Sequence, residues 1–399
     1  MTLRIALIGG FGNGNLGNDA SLRAALTAMR TRFPNAEFEC ICDEPRVISQ
    51  RFGIPATKIA MRPSGVLRHV DTLLLRAPSG VFNWLRAIWI ARRFNVMLWP
   101  GTGVFDDYRT GPLGFPAQVF RWSVIARFMG LHLVFLGVGA GPIINPLSRF
   151  FLKNAARCAD ARSYRDAGSK EFMQSIGVDE TKSLIMPDIV FGKPVDAPPP
   201  VRTAPPLTIG LGVMSYRGWR IDEKVGQDYR EKLARFVRWA EAQGHSVRFL
   251  VAEPSDTRAL TALQAILADD VDRGGDEMMV LRDVMDAICG CDLVIGSRFH
   301  VLIAGLKLGR PCISLSYGPK HDLLMTAAGL GEFCQPADHF DFDLLTRHVA
   351  AIAAEPARYS ANVSDRVAEM KARVLDVQEQ VFVQIAAKFP AAQHHPATA

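Results

Sequence analysis

The sequence predicts an α/β protein with two Rossmann-like domains and a C-terminal helix. With 399 residues the chain is too long for a single hydrophobic core. Short apolar runs alternate with helical patterns, which is typical of parallel sheets covered by helices on both faces. This alternation stops at 193–206, where six prolines occur in fourteen residues, and then starts again. We therefore expect an interdomain linker at 193–206.

The first domain is expected to span 1–192. Its strands are predicted where buried apolar runs occur, at 3–9, 37–42, 95–99 and 132–137. A helix is predicted over 20–32, because Leu22, Leu26 and Met29 follow helical spacing.

The second domain is expected to span 207–388, with 389–399 as a disordered tail. Its predicted strands are 207–213, 246–252, 278–281, 292–295 and 312–316, and its predicted helices are 228–243, 257–268, 283–290, 299–307 and 360–388. Two such domains facing a central cleft form the GT-B-like arrangement of many sugar-transferring enzymes. In such folds ligands bind at the carboxyl ends of the strands.

Composition narrows the function classes. The 46 Lys and Arg residues exceed the 40 Asp and Glu residues by only six, which suits anionic substrates or anionic lipid. The sequence contains no block of basic residues interleaved with aromatic residues, so we do not expect a nucleic-acid partner. The seven cysteines form no C-x-x-C pair, so we expect thiols in a reducing cytoplasm and no metal site. No apolar run approaches the roughly 20 residues of a membrane span.

A Gly-rich loop, GNGNLG at 12–17, lies between a predicted strand and a predicted helix. With Asp43 after the second strand, this pattern fits a dinucleotide site. The alternative is that the glycines only let the backbone turn sharply, with Asn18 or Asp19 capping the helix. We favour the second interpretation, because asparagine and aspartate side chains would crowd a pyrophosphate.

A sharper signal lies at 292–320. The strand DLVI ends at Gly296-Ser297, and a helix begins near Arg298, where N–H groups and the helix dipole favour an anion. His300 is at the same helix start. Lys320 follows the next strand, whose carboxyl end faces the same crevice. These groups suit a small substrate with several negative charges, although His300 could also be a hydrogen-bonded helix residue and Lys320 a solvated lysine.

Five segments in order resemble the polysaccharide pyruvyl transferase family, over about 2–330. They are GGFGNGNLGNDASL at 9–22, WPGTGVFDD at 99–107, GVGAGP at 137–142, ADARSYRDAGSKEF at 159–172 and GSRFHVLIAGLKLGRPCISLSYGPK at 296–320. The chain departs from the family where Asn18-Asp19 replaces two acidic residues, and where Trp99-Pro100 precedes the central Gly run.

The resemblance implies transfer of the pyruvyl group of phosphoenolpyruvate to a sugar, on a polysaccharide or its lipid-linked precursor, with no cofactor and no metal. It implies His300 as acid or base, with Asp106 and Asp19 as further catalytic candidates. The residues implied to bind substrate are Arg165, Arg298, Lys320, Ser297, Asn15 and Gly17. Asp106 and Asp107 could equally be a solvated loop end, and Arg165 could pair with Asp166.

A basic, Trp-rich stretch at 81–99 could dock on a membrane carrying a lipid-linked sugar. It contains Trp84, Trp89 and Trp99 among Arg86, Arg92 and Arg93. We favour a helix that packs in the core and has a charged outer side.

Three other functions remain open, since fold alone does not determine function. A glycosyltransferase or epimerase acting on a nucleotide-sugar would need an acid for the ribose, for which Glu277 is a poor candidate. A glycan- or anion-binding protein would bind without turnover. A Rossmann oxidoreductase is the third. The oligomeric state is not predicted.

Overall fold

The computed structural model describes residues 2–65, 69, 71, 77–107, 110–195, 199–216, 222–268, 273–274 and 280–390. The fold is α/β with two parallel sheets. The chain forms two compact units, Met1–Lys193 with Ala372–Ala399, and Pro194–Lys371. The first boundary lies at the start of the proline-rich segment.

The first unit contains one sheet in the order β3-β2-β1-β4-β6-β7-β8, with the short β5 paired to β6. Its strands are β1 Arg4–Ile8, β2 Glu37–Cys42, β3 Ala56–Lys58, β4 Val96–Pro100, β5 Gly103–Phe105, β6 His132–Ala140, β7 Ala161–Tyr164 and β8 Leu184–Ile185. The helices of this unit are α1 Leu16–Arg32, α2 Pro45–Phe52, α3 Ala77–Ala91, α4 Phe115–Phe128, α5 Pro146–Arg157 and α6 Ala167–Ser175.

The central strands of this sheet are apolar throughout because both faces are covered. All of β4 is buried, and β6 is buried up to Gly139. On one face Trp99 stacks on Phe135, with ring centres 6.0 Å apart, within the core that packs against α3, α4 and α5. Trp99 therefore belongs to the core and not to a membrane-facing surface.

The second unit contains a parallel sheet in the order β10-β9-β11-β12-β13. Its strands are β9 Thr208–Gly212, β10 Ser246–Leu250, β11 Leu293–Gly296, β12 Cys312–Ser316 and β13 Cys334–Pro336. Its helices are α7 Glu223–Ala242, α8 Thr257–Leu267, α9 Leu281–Cys289, α10 Phe299–Lys307, α11 Pro319–Ala327 and α12 Phe342–Ala354.

One predicted strand of this unit, 278–281, differs from the structure. Residues 278 and 279 lie outside the described residues, and Leu281 begins α9. Asp283 accepts the backbone N–H of Val280 at 3.0 Å, which fixes the helix start earlier than the predicted residue 283.

The final helix, α13, spans Pro356–Lys388. The sequence assigned all of it to the second domain, but its residues from Ala372 onward belong to the first unit. There Phe382 packs edge-on against Phe33 at 5.9 Å, and Arg373 donates to the carbonyl of Ile185 at 3.1 Å. The predicted disordered tail lies mostly in 391–399, outside the described residues.

The later part of the proline-rich segment is fixed to the second unit. The backbone N–H of Arg202 donates to Asp292 at 2.8 Å, and Arg310 donates to the carbonyl of Pro199 at 2.7 Å. Residues 196–198 lie outside the described part. From Pro199 onward the segment is therefore part of the unit and not a free linker.

All seven cysteines are free thiols. Across the described ranges, no helix is long and apolar enough to cross a membrane. No group of three or more His, Cys, Asp or Glu side chains in the same ranges could hold a metal ion.

The buried His245 predicts a loss of stability in acid. Its Nδ1 accepts the backbone N–H of Leu207 at 3.0 Å, and burial lowers the pKa of the ring below its usual 6.5. The unfolded chain therefore takes up this proton at a higher pH than the folded chain. The resulting stability is present above about pH 6.5 and is lost as pH falls towards the lower folded pKa.

We expect His245→Asn to reduce the fall in thermal midpoint between pH 7 and pH 5, because the amide oxygen keeps the acceptor and cannot be protonated in this range. Differential scanning calorimetry at both pH values measures this. His339→Asn, at an exposed histidine, serves as the matched control. An unchanged pH dependence in His245→Asn would contradict the assignment.

Candidate functional site

The carboxyl edge of the second sheet holds Arg298, which follows β11 and is the N-cap residue of α10. Its guanidinium donates to both carboxylate oxygens of Asp256, at 2.9 Å and 2.6 Å, and lies 2.9 Å from a carboxylate oxygen of Glu253. Asp256 is fully buried and also accepts the backbone N–H of Ser215 at 2.8 Å. The charge of Arg298 is therefore compensated by two carboxylates from the loop after β10.

Burial and neighbouring charges shift the pKa values of Glu253 and Arg298. Burial raises the pKa of Glu253, in spite of the nearby positive charge of Arg298 and, more weakly, of Lys320. Burial alone would lower the pKa of Arg298, but its hydrogen bonds and charge interactions with Asp256, followed by Glu253, raise it. Arg298 is thus held as a fixed cation, while Glu253 is a carboxyl group shifted towards its neutral form.

Lys320 and His300 lie at the same edge as Arg298, because β11 and β12 are neighbouring parallel strands. The ammonium of Lys320 lies 5.3 Å from the ring centre of Phe299 and 5.0 Å from that of Tyr317. The His300 ring is 5.4 Å from the Phe299 ring. Lys320 and His300 therefore both contact the Phe299 ring, at the edge where Arg298 caps α10, as the sequence predicted for these three residues.

Behind this edge lies a buried polar layer. Ser297 is fully buried, and its hydroxyl makes a 2.8 Å hydrogen bond with the Tyr229 hydroxyl. The ring nitrogens of the buried His321 lie 3.2 Å from the carbonyl oxygen of Gly318 and 3.1 Å from that of Ser297. Burial raises the pKa of Tyr229 to about 12, so its hydroxyl stays protonated near neutral pH. These contacts connect the loops after β11 and β12 and leave Ser297 inside the protein.

In the first unit, the loop after β1 is held by its own side chains. Asn15, not Asn18 or Asp19, caps α1, since its side-chain oxygen accepts the N–H groups of Gly17 at 3.0 Å and Asn18 at 3.2 Å. The helix therefore begins at Leu16, four residues before the predicted start.

Asp19 is buried within this loop. One carboxylate oxygen accepts the backbone N–H of Gly12 at 2.8 Å, and the other pairs with Arg51 at 3.0 Å. Burial raises its pKa, opposed by the bond to Gly12 and by Arg51. Asn18 donates to the carbonyl of Gly10 at 2.8 Å. These contacts do not favour a dinucleotide site, because the Gly12 amide that a phosphate would use already binds a carboxylate.

The central loop follows β4. Gly101 and Thr102 have positive φ angles of 56° and 65°, and positive φ is uncommon for threonine. Asp107 accepts the backbone N–H groups of Ile144 and Asn145, at 3.0 Å and 2.8 Å, and so holds the loop after β6. The Asp106 carboxylate lies directly against Gly103, where a side chain would overlap it. The two predicted acids thus have different surroundings: the Asp107 carboxylate holds the loop after β6, and the Asp106 carboxylate lies against Gly103.

Arg165 follows β7, next to the carboxyl end of β6. Its guanidinium covers Gly139, where an added Cβ would lie 2.6 Å from its Cζ. Its Nε is 3.4 Å from Asp166, which caps α6 through the N–H of Ser169 at 2.6 Å. A side chain at 139 would therefore displace the Arg165 guanidinium from its place against the backbone.

A family model for polysaccharide pyruvyl transferases matches residues 15–319, which is more than half of the chain. The chain belongs to the polysaccharide pyruvyl transferase family. The match includes every predicted site residue except Lys320, which directly follows its end. No curated protein matches the sequence.

Several solved structures are similar to this chain in fold. S. aureus MnaA, solved with UDP, is 10% identical with a TM-score of 0.62, and the match covers 100% of both chains. Anabaena HepE, in complex with UDP and glucose, is 14% identical with a TM-score of 0.60, covering 96% of this chain and 100% of that one. The UDP-GlcNAc 2-epimerase of Methanocaldococcus jannaschii is 10% identical with a TM-score of 0.58, covering 90% and 98%. At these identities the likeness establishes the GT-B-like fold alone.

The sequence analysis did not identify Glu253, Asp256 and His321. His321 had one signal, since it directly follows Lys320, the last residue of the resembling segment 296–320. Glu253 and Asp256 follow the predicted strand 246–252, so the sequence alone could have placed them at a strand end. Their pairing with Arg298 depends on tertiary packing across more than forty residues and had no local signal.

Proposed function

We propose that this family member transfers the pyruvyl group of phosphoenolpyruvate to two hydroxyls of a sugar, forming a ketal and releasing phosphate. The observation that carries the proposal is the family match over residues 15–319. The cluster of Arg298, His300 and Lys320 at one sheet edge supports it, because the donor carries a carboxylate and a phosphate.

The reaction consists of an addition and a substitution. A sugar hydroxyl adds to the carbon that bears the phosphate, and a proton is delivered to the methylene carbon, which becomes a methyl group. The C–O bond to phosphate then breaks, and the electron pair leaves with the phosphate. A second hydroxyl of the sugar attacks the same carbon and loses its proton, which closes the ketal. The reaction as written needs no metal or redox cofactor.

In this proposal Lys320 binds the donor phosphate. Its ammonium is a compact point charge that suits a phosphate, and the rings of Phe299 and Tyr317 restrain it at 5.3 Å and 5.0 Å. The N-terminus of α10 adds a favourable dipole for an anion at the same edge. Arg298 is paired with Asp256 and Glu253. In this proposal it holds the edge in place and does not bind the donor directly.

Two groups are candidates for the proton that the methylene carbon receives. His300 is the first, on family resemblance and because it lies in the first turn of α10. Glu253 is the second, because it lies beside Arg298 at the same edge and burial raises its pKa above the usual value. Replacing each separately by glutamine distinguishes them by the effect on turnover.

We assign the first unit to the acceptor. Arg165 and Asp106 are its candidate contacts, with Asp106 as the base that activates a sugar hydroxyl. The engaged carboxylate of Asp19 and the capping amide of Asn15 hold the loop after β1, with Gly17 in the first turn of α1. The acceptor in this proposal is a polysaccharide or its lipid-linked precursor.

A ligand-induced shift in thermal midpoint tests donor choice. A ligand that binds only the folded chain raises the midpoint by mass action. We expect phosphoenolpyruvate to raise it, and UDP-GlcNAc and NAD to leave it unchanged at equal millimolar concentration. A shift with UDP-GlcNAc and none with phosphoenolpyruvate would instead support a nucleotide-sugar enzyme, the alternative that the similar folds of the UDP complexes make worth testing.

A further inference from the structure

Helices α3, α4 and α5 cover one face of the first sheet, with α4 packed against both neighbours. Their inner sides pack into the core around Trp122 and Phe135. Their outer sides are unusually apolar: nine of the fourteen large apolar side chains exposed in the described residues lie on these helices or the turns just before α4 and α5. The sequence predicted a charged outer side for α3; in the structure the large exposed side chains of the helix are apolar, and the exposed Arg92 and Arg93 directly follow its end.

The apolar side chains lie in a pattern typical of an amphipathic helix. On α3, Phe82, Leu85 and Trp89 are 55%, 63% and 65% exposed and are spaced three and four residues apart. Phe128 on α4 and Phe150 on α5 extend the surface, at 88% and 55% exposed. We call the outer side of α3, α4 and α5 the apolar face.

Aromatic rings link the three helices beneath this face. The ring of Phe120 on α4 lies 6.5 Å from Trp84 on α3 and 6.1 Å and 5.1 Å from Phe150 and Phe151 on α5. These contacts hold the exposed side chains on one continuous surface. A contiguous surface of this kind on a folded protein indicates an interaction site.

The charges on these helices have a single sign. Segments 77–93, 115–128 and 146–157 contain eight Arg or Lys residues and no Asp or Glu. Those that are exposed are Arg92, Arg93, Arg127, Arg149 and Arg157. Of the eight, only Arg93 makes an ion pair with a carboxylate among the residues that the structure describes, at 2.8 Å from Glu39. The segments that carry the apolar face are therefore basic and contain no acidic residue.

We propose that the apolar face docks on the surface of a bilayer containing anionic phospholipid. Exposed aromatic and aliphatic side chains flanked by arginine match the chemistry of an anionic headgroup layer, where rings insert at the interface and arginines bind phosphates. Charge decides against a second copy of the chain as the occupant, because symmetric pairing would bring two faces of the same sign together. The inference does not rest on the proposed transfer reaction.

Vesicle co-sedimentation tests the proposal with the full chain. We expect binding to vesicles of phosphatidylcholine with phosphatidylglycerol, and much weaker binding to phosphatidylcholine alone. The variant Phe82→Ser/Leu85→Ser/Trp89→Ser should lose binding. Its matched control is Leu375→Ser/Val383→Ser, which removes exposed apolar side chains from α13 and should bind as the wild type does.

A second pair of variants tests the charges. Arg92→Gln/Arg127→Gln/Arg149→Gln should weaken binding by about fivefold for each arginine removed. Arg30→Gln/Arg258→Gln/Arg347→Gln, at exposed sites elsewhere, should have a much smaller effect. Equal losses of vesicle binding in the two triple variants would mean that binding depends on net charge alone, and would overturn the proposal. So would wild-type binding by the serine variant, or a dimer in sedimentation velocity that this variant abolishes without any vesicle binding.

Discussion

Replacing Lys320 with alanine is expected to weaken the binding of phosphoenolpyruvate by about 10- to 150-fold, the value of a hydrogen bond to a charged group. The reason is that the proposed function assigns the donor phosphate to the Lys320 ammonium, which lies beside the rings of Phe299 and Tyr317 at the start of α10. Arg298, at the same edge, forms ion pairs with Asp256 and Glu253. Titration calorimetry with phosphoenolpyruvate measures the change.

Two further variants make this prediction specific. Lys320→Arg keeps the charge and should bind better than Lys320→Ala, though more weakly than the wild type, since a guanidinium differs in shape from an ammonium. Lys224→Ala removes an exposed lysine from α7 and should have no effect. Binding by Lys320→Ala at wild-type affinity would remove Lys320 from the donor site.

Replacing Arg298 with methionine is expected to destabilise the protein by about 3 to 5 kcal/mol, because it leaves the buried carboxylate of Asp256 without its partner. Asp256 is fully buried and would keep the hydrogen bond from the backbone N–H of Ser215 without a positive charge beside it. Urea denaturation measures the change in the free energy of unfolding.

The double variant Arg298→Met/Asp256→Asn distinguishes a structural pair from a substrate cation. If the lost stability arises from the unpaired carboxylate, the double variant should recover much of it, since the neutral amide costs less to bury. A stable Arg298→Met protein that no longer binds phosphoenolpyruvate would contradict this account and return Arg298 to direct donor binding.

The sequence predicted the fold well where a local pattern determines structure. Helix α10 lies at its predicted residues, 299–307, because Gly309 and Pro311 end the apolar run. Strand β12 matches its prediction as well, since five buried residues follow that proline. The predicted start of the first helix was too late. Asn15, Asn18 and Asp19 are all suitable capping residues, and only the folded loop determines that Asn15 is the cap.

The candidate site was predicted less completely for a physical reason. Strand order brings Arg298, His300 and Lys320 to one edge, and strand ends can be recognised in a sequence. Whether a charged side chain can still bind a ligand depends on packing. Glu253 and Asp256 come from another loop and compensate the charge of Arg298. Asp19 is paired with Arg51 and accepts the N–H of Gly12. Side chains that look alike in a sequence therefore differ in what they can still bind.

The product of the reaction tests the central claim most directly. Phosphoenolpyruvate labelled with ¹³C at the phosphate-bearing carbon is incubated with the protein and a panel of glycosides and lipid-linked sugars, and followed by NMR. We predict a new signal from a ketal carbon, with release of an equal amount of phosphate, and loss of both in Lys320→Ala. An unchanged donor signal across the panel, together with conversion of UDP-GlcNAc by the same protein, would contradict the account.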